Sequence, residues 1–237
     1  MLPSSLRSAI EQRRVRHQMR EGTVRRMFEY RHSLLPNSYL AEVESTSRDL
    51  AAAKGRTGLS IGYPAWNLLY YALLCSLPNV DREVVVIETG TNQGFSAIVL
   101  AQALKDGRAK GVVRTVDLDP SAVAAARDHV AKAGLGNMVE FNTGDSVEFL
   151  QRLVGEHGVV DFAFLDASHK EDDVLREFEI VLPAIQACRG KVYFDNSSAG
   201  GVARALKVIR KRWGGNLVEF DNCSWSPPGN AVWQPES

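Results

Sequence analysis

Cysteine is scarce in this sequence and occurs in no pattern that marks a disulfide framework or a zinc site. The 237 residues include three cysteines, Cys75, Cys188 and Cys223, which lie far apart and form no Cys-x-x-Cys pair. A small, odd number of scattered thiols is typical of proteins that stay in a reducing compartment. We therefore expect a cytoplasmic protein without structural disulfides.

Long apolar runs and an excess of charge are also missing. No stretch of about 18 apolar residues occurs, and the N-terminus has arginines but no apolar signal core. Basic and acidic residues both number 28, so no overall field attracts nucleic acid or a membrane surface. Internal repeats and low-complexity linkers are absent too. We expect a soluble protein that binds neither nucleic acid nor membrane.

The N-terminal part of the chain has a different composition from the rest. Residues 1–35 combine many arginines with a loose apolar series, the pattern of an amphipathic helix. Such a helix serves as a solvated face or as an arm that contacts another subunit, so we expect a homo-oligomer, a dimer or larger. A second helix is predicted over 38–53 and a third from Pro64 to Leu74. We treat residues 1–60 as a helical N-terminal extension and 61–237 as the main domain.

From residue 84 onward, apolar strands alternate with helical patterns, which predicts a doubly wound α/β sheet that is mostly parallel. The last two predicted strands flank Pro227-Pro228-Gly229, which leaves no room for a crossover helix, so they should pair antiparallel. The predicted strands are 84–88, 112–117, 138–142, 160–165, 190–195, 216–220 and 230–234. The predicted helices between them are 96–104, 121–133, 146–154, 172–185 and 201–213.

The first predicted strand leads into a glycine-bearing turn and a helix start. The turn has the spacing Glu-x-Gly-x-x-x-Gly at Glu88, Gly90 and Gly94, unlike the Gly-x-Gly-x-x-Gly of dinucleotide folds. Glycine lets a ligand approach the backbone, and the carboxylate of Glu88 would repel a pyrophosphate but can bind an ammonium. The stretch resembles motif I of class I S-adenosylmethionine-dependent methyltransferases. Read alone, it is also compatible with an ordinary βα turn.

The resemblance implies an S-adenosylmethionine site at the carboxyl ends of the first strands. Asp117 ends the second strand about 20 residues beyond the turn, where a carboxylate can accept both ribose hydroxyls. The loop 143–146 resembles the family's adenine-side loop, although Asp145 reads equally well as a plain helix N-cap. The implied cofactor-binding residues are Glu88, Gly90, Thr91, Asn92, Gly94, Phe95, Ser96, Asp117, Leu118, Gly144, Asp145, Ser146 and Asp166.

Three oxygen ligands follow the fourth and fifth predicted strands. Asp166 ends the fourth strand, and Asp195 and Asn196 end the fifth. Carboxylate and amide oxygens on neighbouring strand ends suit a hard cation such as Mg²⁺ or another divalent ion. The arrangement resembles metal-dependent O-methyltransferases of the catechol and caffeoyl-coenzyme A type, in which an Asp and an Asp-Asn pair bind the metal. The plainer interpretation is that each Asp caps a helix or a turn.

The candidate base departs from the catechol pattern. Catechol-type enzymes have a lysine three residues beyond the first metal Asp, whereas this chain has His169, with Lys170 next. The Asp-x-x-His spacing resembles metal-dependent sugar and macrolide O-methyltransferases. Histidine titrates near neutrality and can accept a hydroxyl proton. His169 is the expected base, and Lys170 remains the second candidate.

The resemblance as a whole implies an enzyme that methylates a hydroxyl of a small molecule, such as a natural product, a sugar or a catechol-like diol. Trp66, Tyr70 and Trp225 could line the acceptor pocket or simply pack. The alternative is an RNA-binding or RNA-modifying methyltransferase that uses the arginine-rich N-terminus as its footprint. A NAD-dependent dehydrogenase is disfavoured by the glycine spacing and by Glu88.

Overall fold

The computed structural model describes residues 35–47, 52, 55–58, 65–220 and 229–236. The arginine-rich segment, Cys223 and Trp225 lie outside these residues. Within them, the strands are β1 (Val84–Thr89), β2 (Gly111–Asp117), β3 (Val139–Thr143), β4 (Phe162–Leu165), β5 (Lys191–Asp195), β6 (Asn216–Phe220) and β7 (Asn230–Gln234). The helices are α1 (Ser38–Ser45), α2 (Ala65–Leu74), α3 (Phe95–Asp106), α4 (Pro120–Lys132), α5 (Ser146–His157), α6 (Glu171–Cys188) and α7 (Gly200–Trp213).

These strands form one sheet in the order β3-β2-β1-β4-β5-β7-β6. β1 to β5 run parallel, and β7 pairs antiparallel with both β5 and β6. The predicted doubly wound, mostly parallel sheet with a closing antiparallel pair is therefore confirmed. The strand order reverses between β1 and β4, and open α/β sheets bind ligands in the crevice at such a switch point.

β1 is buried on both faces, which explains why its sequence has no polar alternation. Successive side chains of a strand point to opposite faces. Val84 and Val86 pack into a core with residues of α1 to α4, while Val85 and Ile87 pack into a core with residues of α5, α6 and α7. Glu88 therefore faces the α3 layer, and Thr89 faces the α6 layer.

The helix predicted over 38–53 does not continue as one helix, because α1 ends at Ser45; residues 48–51 and 53 of this prediction lie outside the described residues. The hydroxyl of Thr46 donates to the carbonyl of Glu42 at 2.7 Å, and that of Ser47 donates to Val43 at 2.8 Å. Arg56 donates to the same Val43 carbonyl at 3.1 Å. These side chains satisfy the last carbonyls of α1 and end the helix.

The other elements follow the sequence pattern closely. α4 begins with Asp119 as its N-cap and Pro120 in its first turn, and α2 ends before Pro78. None of the described helices is long and apolar enough to cross a membrane. Cys75 and Cys188 are free thiols.

Candidate active site

Glu88 lies fully buried beneath the turn that follows β1. The hydroxyl of Thr115 on β2 donates to Glu88 Oε2 at 2.6 Å, and the hydroxyls of Thr91 and Thr115 lie 2.5 Å apart. Among the described residues, none hydrogen-bonds the other carboxyl oxygen, Oε1. Burial raises the pKa of Glu88 to about 8, and hydrogen bonds with Ser96 and Thr115 oppose that rise. The acid form therefore dominates at neutral pH unless a cation approaches.

Gly90 and Gly94 adopt left-handed backbone conformations, with φ of 85° and 79°. A Cβ at Gly90 would lie 2.5 Å from the carbonyl oxygen of Asp166, and one at Gly94 would lie 2.8 Å from the Cβ of Ala126 on α4. The glycines thus let the turn approach the end of β4 and let α3 approach α4. The N-cap residue of α3 is Gly94, which has no side chain to cap the helix, so the first N–H groups of α3 are left for a ligand at the turn.

Asp117 ends β2 beside this turn. Its Oδ2 accepts the backbone N–H of Asn92 at 2.7 Å, and its Oδ1 accepts that of Asp119 at 3.0 Å. Both bonds orient the carboxylate, and each oxygen retains lone-pair capacity for a ligand hydroxyl. The neighbouring Leu118 is 73% exposed. A carboxylate next to an exposed apolar side chain suits a ribose next to a nucleobase.

The turn is also held by contacts with two residues that are distant in sequence, Gly58 and His129. The Nδ2 of Asn92 donates to the carbonyl of Gly58 at 2.5 Å. The Nδ1 of His129 lies 2.9 Å from the carbonyl oxygen of Gln93. The first contact spans 34 positions in sequence and the second spans 36, so both support the turn from outside its own segment.

The predicted adenine-side loop has a clear structural function. Asp145 caps α5, since its Oδ1 accepts the N–H groups of Val147 at 2.9 Å and Glu148 at 3.1 Å. Ser146 hydrogen-bonds Glu177, a buried carboxyl on α6 that also accepts the Thr89 hydroxyl at 2.9 Å. Burial raises the pKa of Glu177, and these two bonds oppose the rise. The N-cap interpretation of Asp145 is confirmed; an adenine contact by Gly144, Asp145 or Ser146 stays a prediction.

The structure brings Asp166, His169 and Asn196 together. His169 Nε2 lies 3.4 Å from Asp166 Oδ1, and the same imidazole hydrogen-bonds the Asn196 side chain. The bond to Asp166 raises the pKa of His169, with burial opposing, while burial raises the pKa of Asp166, with His169 opposing. The His169 side chain is 52% exposed, so it can exchange protons with solvent.

Asp195 and Asn196 lie next to Asp166 because β5 pairs with β4. Leu165 pairs with Phe194, so Asp166 and Asp195 occupy the next position on each strand. Asp195 and Asn196 are both buried, and Asn196, directly after β5, has φ of 51°, a left-handed conformation that asparagine tolerates. Asp195 Oδ1 accepts the Nδ2 of Asn230 on β7 at 2.5 Å.

The donor set fits a hard, weakly held cation. The described residues contain no group of three or more His, Cys, Asp or Glu side chains that could hold a metal. The predicted set instead has two carboxylates, Asp166 and Asp195, and one amide, Asn196. Mg²⁺ is commonly bound by one or two carboxylates and keeps several waters. These ligands therefore suit Mg²⁺ better than a metal that needs a full set of protein ligands.

The side chains of some predicted residues pack in the core, bond elsewhere or face solvent. The ring of Phe95 is buried and stacks against Trp66 with centroids 6.0 Å apart, so both rings belong to the core. The hydroxyl of Tyr70 donates to Asp106 at the end of α3. Lys170 is exposed at the N-cap position of α6.

Sequence reasoning missed Thr115, Glu177 and Asn230. Each is a polar residue at a position that periodicity assigns to the interior: Thr115 within the apolar β2, Glu177 on the apolar stripe of α6, and Asn230 at the start of β7. A polar residue at a core position was the available signal. Such a residue indicates that its side chain has a buried hydrogen-bond partner, but the sequence does not identify that partner.

Comparisons with known proteins agree with this geometry. A family described as a methyltransferase domain matches residues 87–197. A Mycobacterium tuberculosis protein described as a probable O-methyltransferase is 29% identical over 186 residues, which cover 75% of this chain and 79% of the relative. A catechol O-methyltransferase of Niastella koreensis is 37% identical over 98 residues, 40% of each chain.

Solved structures show the same fold. The O-methyltransferase from Bacillus cereus in complex with S-adenosylhomocysteine superposes with a TM-score of 0.69 at 20% identity, covering 90% of this chain and 98% of the other. The O-methyltransferase TomG from Streptomyces achromogenes, involved in tomaymycin synthesis and bound to S-adenosylmethionine, gives 0.65 at 20% identity, covering 84% and 91%. At such identities the likeness concerns the fold.

Proposed function

We propose that this chain acts as a class I S-adenosylmethionine-dependent O-methyltransferase of small molecules and that it requires Mg²⁺ or another divalent cation. We further propose that the methylated hydroxyl stands beside a second oxygen of the acceptor, so that both can face the cation. The observation that carries this proposal is the meeting of Asp166, His169 and Asn196 at the ends of β4 and β5, next to Asp195.

The cofactor would lie across the carboxyl ends of β1 and β2. Asp117 would accept the ribose hydroxyls, and Leu118 would cover one face of the adenine. The open N-terminus of α3 and the turn at Gly90 would receive the methionine part. Glu88, whose Oε1 below this turn has no hydrogen-bond partner among the described residues, would accept a hydrogen bond from the ammonium or from a bridging water.

Asp166, Asp195 and Asn196 would hold the cation, which when bound lowers the pKa of an acceptor hydroxyl. His169 would accept the hydroxyl proton, since its imidazole contacts two of the proposed ligands and reaches solvent. Only the neutral imidazole can accept this proton, so activity should increase with pH as His169 loses its own proton. Lys170 is the second candidate for this role.

The relatives suggest the class of acceptor. One is a catechol O-methyltransferase, and one structural neighbour is involved in tomaymycin synthesis. Both names favour an aromatic diol or a related natural product as the acceptor here. No observation in the described residues favours the RNA alternative, because the segment on which it depends lies outside them.

Chelation tests the metal requirement directly. Purified protein is incubated with labelled S-adenosylmethionine and a panel of catechols, sugars and other diols, with Mg²⁺ or with EDTA. We expect transfer to at least one diol that EDTA abolishes and added Mg²⁺ restores. Transfer that is indifferent to EDTA would reject the metal role while leaving the methyltransferase assignment intact.

Two substitutions should separate the metal ligands from the base. Asp195→Ala removes a charged ligand, so turnover should fall strongly and excess Mg²⁺ should recover part of it. His169→Ala removes the proton acceptor, so turnover should fall by roughly 10²–10⁴-fold with metal and cofactor affinities nearly unchanged. Raising the pH should recover rate in the His169 variant where added Mg²⁺ does not. Near-normal turnover of that variant across pH 6–9 would exclude His169 as the base.

A further inference from the structure

The start of β7 contacts the end of β5 at two adjacent points. The backbone N–H of Ser197 donates to the carbonyl of Gly229 at 3.1 Å, and Asn230 Nδ2 donates to Asp195 Oδ1 at 2.5 Å. Asn230 and Ser197 are both buried. Asn230 is also the residue that pairs with Asp195 in the antiparallel register. Residues 195–197, which we call the corner after β5, are therefore fixed by hydrogen bonds to the start of β7.

Gly229 makes this close approach possible. It has φ of 101°, and a Cβ there would lie 2.3 Å from Ser197 Oγ and 2.8 Å from Ser198 Oγ. A side chain at this position would push the corner away from β7 and lengthen the bond between Asn230 and Asp195.

The amide of Asn230 has a chemistry that suits a partner of a metal ligand. It donates a hydrogen bond to the carboxylate but carries no charge, so it orients Asp195 without competing with a cation for it. A lysine or arginine in its place would neutralise the carboxylate. Hydrogen bonds of this kind fix the orientation of ligand side chains at metal sites.

The other end of the same amide supports this interpretation. Asn230 Oδ1 is buried and has no hydrogen-bond partner among the described residues. A buried amide oxygen without a partner destabilises a fold, and an apolar side chain of similar size would avoid that cost. Packing alone therefore does not explain an asparagine here, whereas its contact with Asp195 does.

We propose that Asn230 is a positioning residue, which fixes the Asp195 carboxylate so that Asp195, Asp166 and Asn196 can face one cation. This inference rests on the metal dependence proposed above. It adds a residue from the antiparallel end of the sheet to a site otherwise built from the parallel strands.

The test measures metal binding without turnover. Mn²⁺ serves as the probe, and its affinity for the purified protein is measured by calorimetry in wild type, Asn230→Leu and Asn230→Ala. Leu has the same branched shape as Asn, with two somewhat bulkier methyl groups in place of the amide oxygen and nitrogen, and so removes the donor. We expect both variants to bind Mn²⁺ roughly 10–100-fold more weakly, the range typical for loss of such partners. S-adenosylmethionine affinity should stay unchanged. In turnover assays the variants should need more Mg²⁺ and reach the wild-type kcat when it is saturating.

Val232→Ala is the matched control, because Val232 lies on the same strand and pairs with Tyr193, whereas Asn230 pairs with Asp195. It should leave Mn²⁺ affinity unchanged. If Asn230→Leu binds Mn²⁺ with wild-type affinity, the inference about Asn230 is wrong, while the proposed metal site still stands. A parallel loss of S-adenosylmethionine affinity in that variant would also overturn it, since that marks a general structural role. Absence of Mn²⁺ and Mg²⁺ binding by the wild-type protein would instead reject the proposed metal site, and the inference with it.

Discussion

Glu88 sits in surroundings that favour its protonated form. The side chain is fully buried between β1 and β2, and its polar neighbours are the hydroxyls of Thr115 and Ser96. Hydroxyls stabilise a carboxylate less than a positive charge does, so burial dominates and the pKa rises to about 8. A cofactor ammonium arriving at Oε1 would favour the ionised form. We therefore expect cofactor binding to release a proton near neutral pH.

The free energy of unfolding should report this buried proton. Between its ordinary pKa of 4.5 and about pH 8, the carboxyl is ionised in the unfolded chain but protonated in the folded one. The folded state then binds more protons, so stability falls as pH rises, by at most about 1.4 kcal/mol per pH unit. Below pH 4.5 both states are protonated and this contribution vanishes.

Glu88→Gln cannot lose a proton, so its stability should fall less steeply than that of wild type from pH 5 to pH 8. Urea unfolding at several pH values measures the difference. We also expect the variant to bind S-adenosylmethionine more weakly, because a neutral amide attracts an ammonium less than a carboxylate does. Parallel pH profiles of the two proteins would mean that Glu88 is ionised in the folded state.

At the scale of elements, α7 positions the loop that carries His169. Gly201 lies in the first turn of α7, and a Cβ there would come 2.0 Å from the carbonyl oxygen of His169 and 3.0 Å from the backbone nitrogen of Glu171. Further along the helix, Arg204 Nε donates to Glu171 Oε2 at 2.5 Å. The helix and the loop thus meet backbone to backbone, and a salt bridge fixes the same contact.

Gly201→Ala should therefore impair catalysis although alanine favours helices. The gain in helix propensity is about 1 kcal/mol, but the clash is with backbone and cannot be relieved by a rotamer change. A displacement of His169 by about 1 Å should lower kcat by up to roughly 10²-fold. Gly200→Ala is the control, because the nearest atom to its Cβ would be the flexible Arg204 side chain at 3.4 Å. Equal kcat in the two variants would contradict the positioning role of Gly201.

Element boundaries could be predicted from the sequence because they depend on local patterns. The run 84–87, the Asp119-Pro120 start of α4 and the Pro-Pro-Gly before β7 each act within a few residues. The end of α1 at Ser45 was not predicted, because the hydroxyls of Thr46 and Ser47 act there together with Arg56, which donates to Val43 from 13 positions away. The contact between Asn230 and Asp195 spans 35 positions and requires the register of β7 on β5. Proposed ligands could be found from strand ends, whereas the residues that hold them could not.

At the scale of the whole molecule, the two ends of the parallel strands differ in what they contain. The carboxyl ends carry the acidic groups Glu88, Asp117, Asp166 and Asp195. At the amino ends, Asp161 forms hydrogen bonds with residues of the neighbouring strands. Ligand binding and structural support are thus separated along the strand direction.

The buried residue Asp161 joins the starts of three strands through its carboxylate and its backbone. It accepts two hydrogen bonds from Arg82, both at 2.7 Å, and one from the backbone N–H of Val85 at 2.9 Å. Its own carbonyl accepts the N–H of Lys191 at 3.0 Å. Removing the carboxylate would leave the buried N–H of Val85 without this acceptor and Arg82 without its counter-charge.

Asp161→Ala should therefore lower the free energy of unfolding by roughly 2–3 kcal/mol, less than for a fully buried pair because the Arg82 side chain is 36% exposed. Urea unfolding measures this change. Asp81→Ala, which breaks the exposed pair with Lys110 nearby, is the control and should not change stability measurably. Since Asp161 lies at the opposite ends of the strands from the site, the folded Asp161 variant should keep wild-type kcat and cofactor affinity. A fall in kcat under conditions where the variant is fully folded would show that the two ends are coupled.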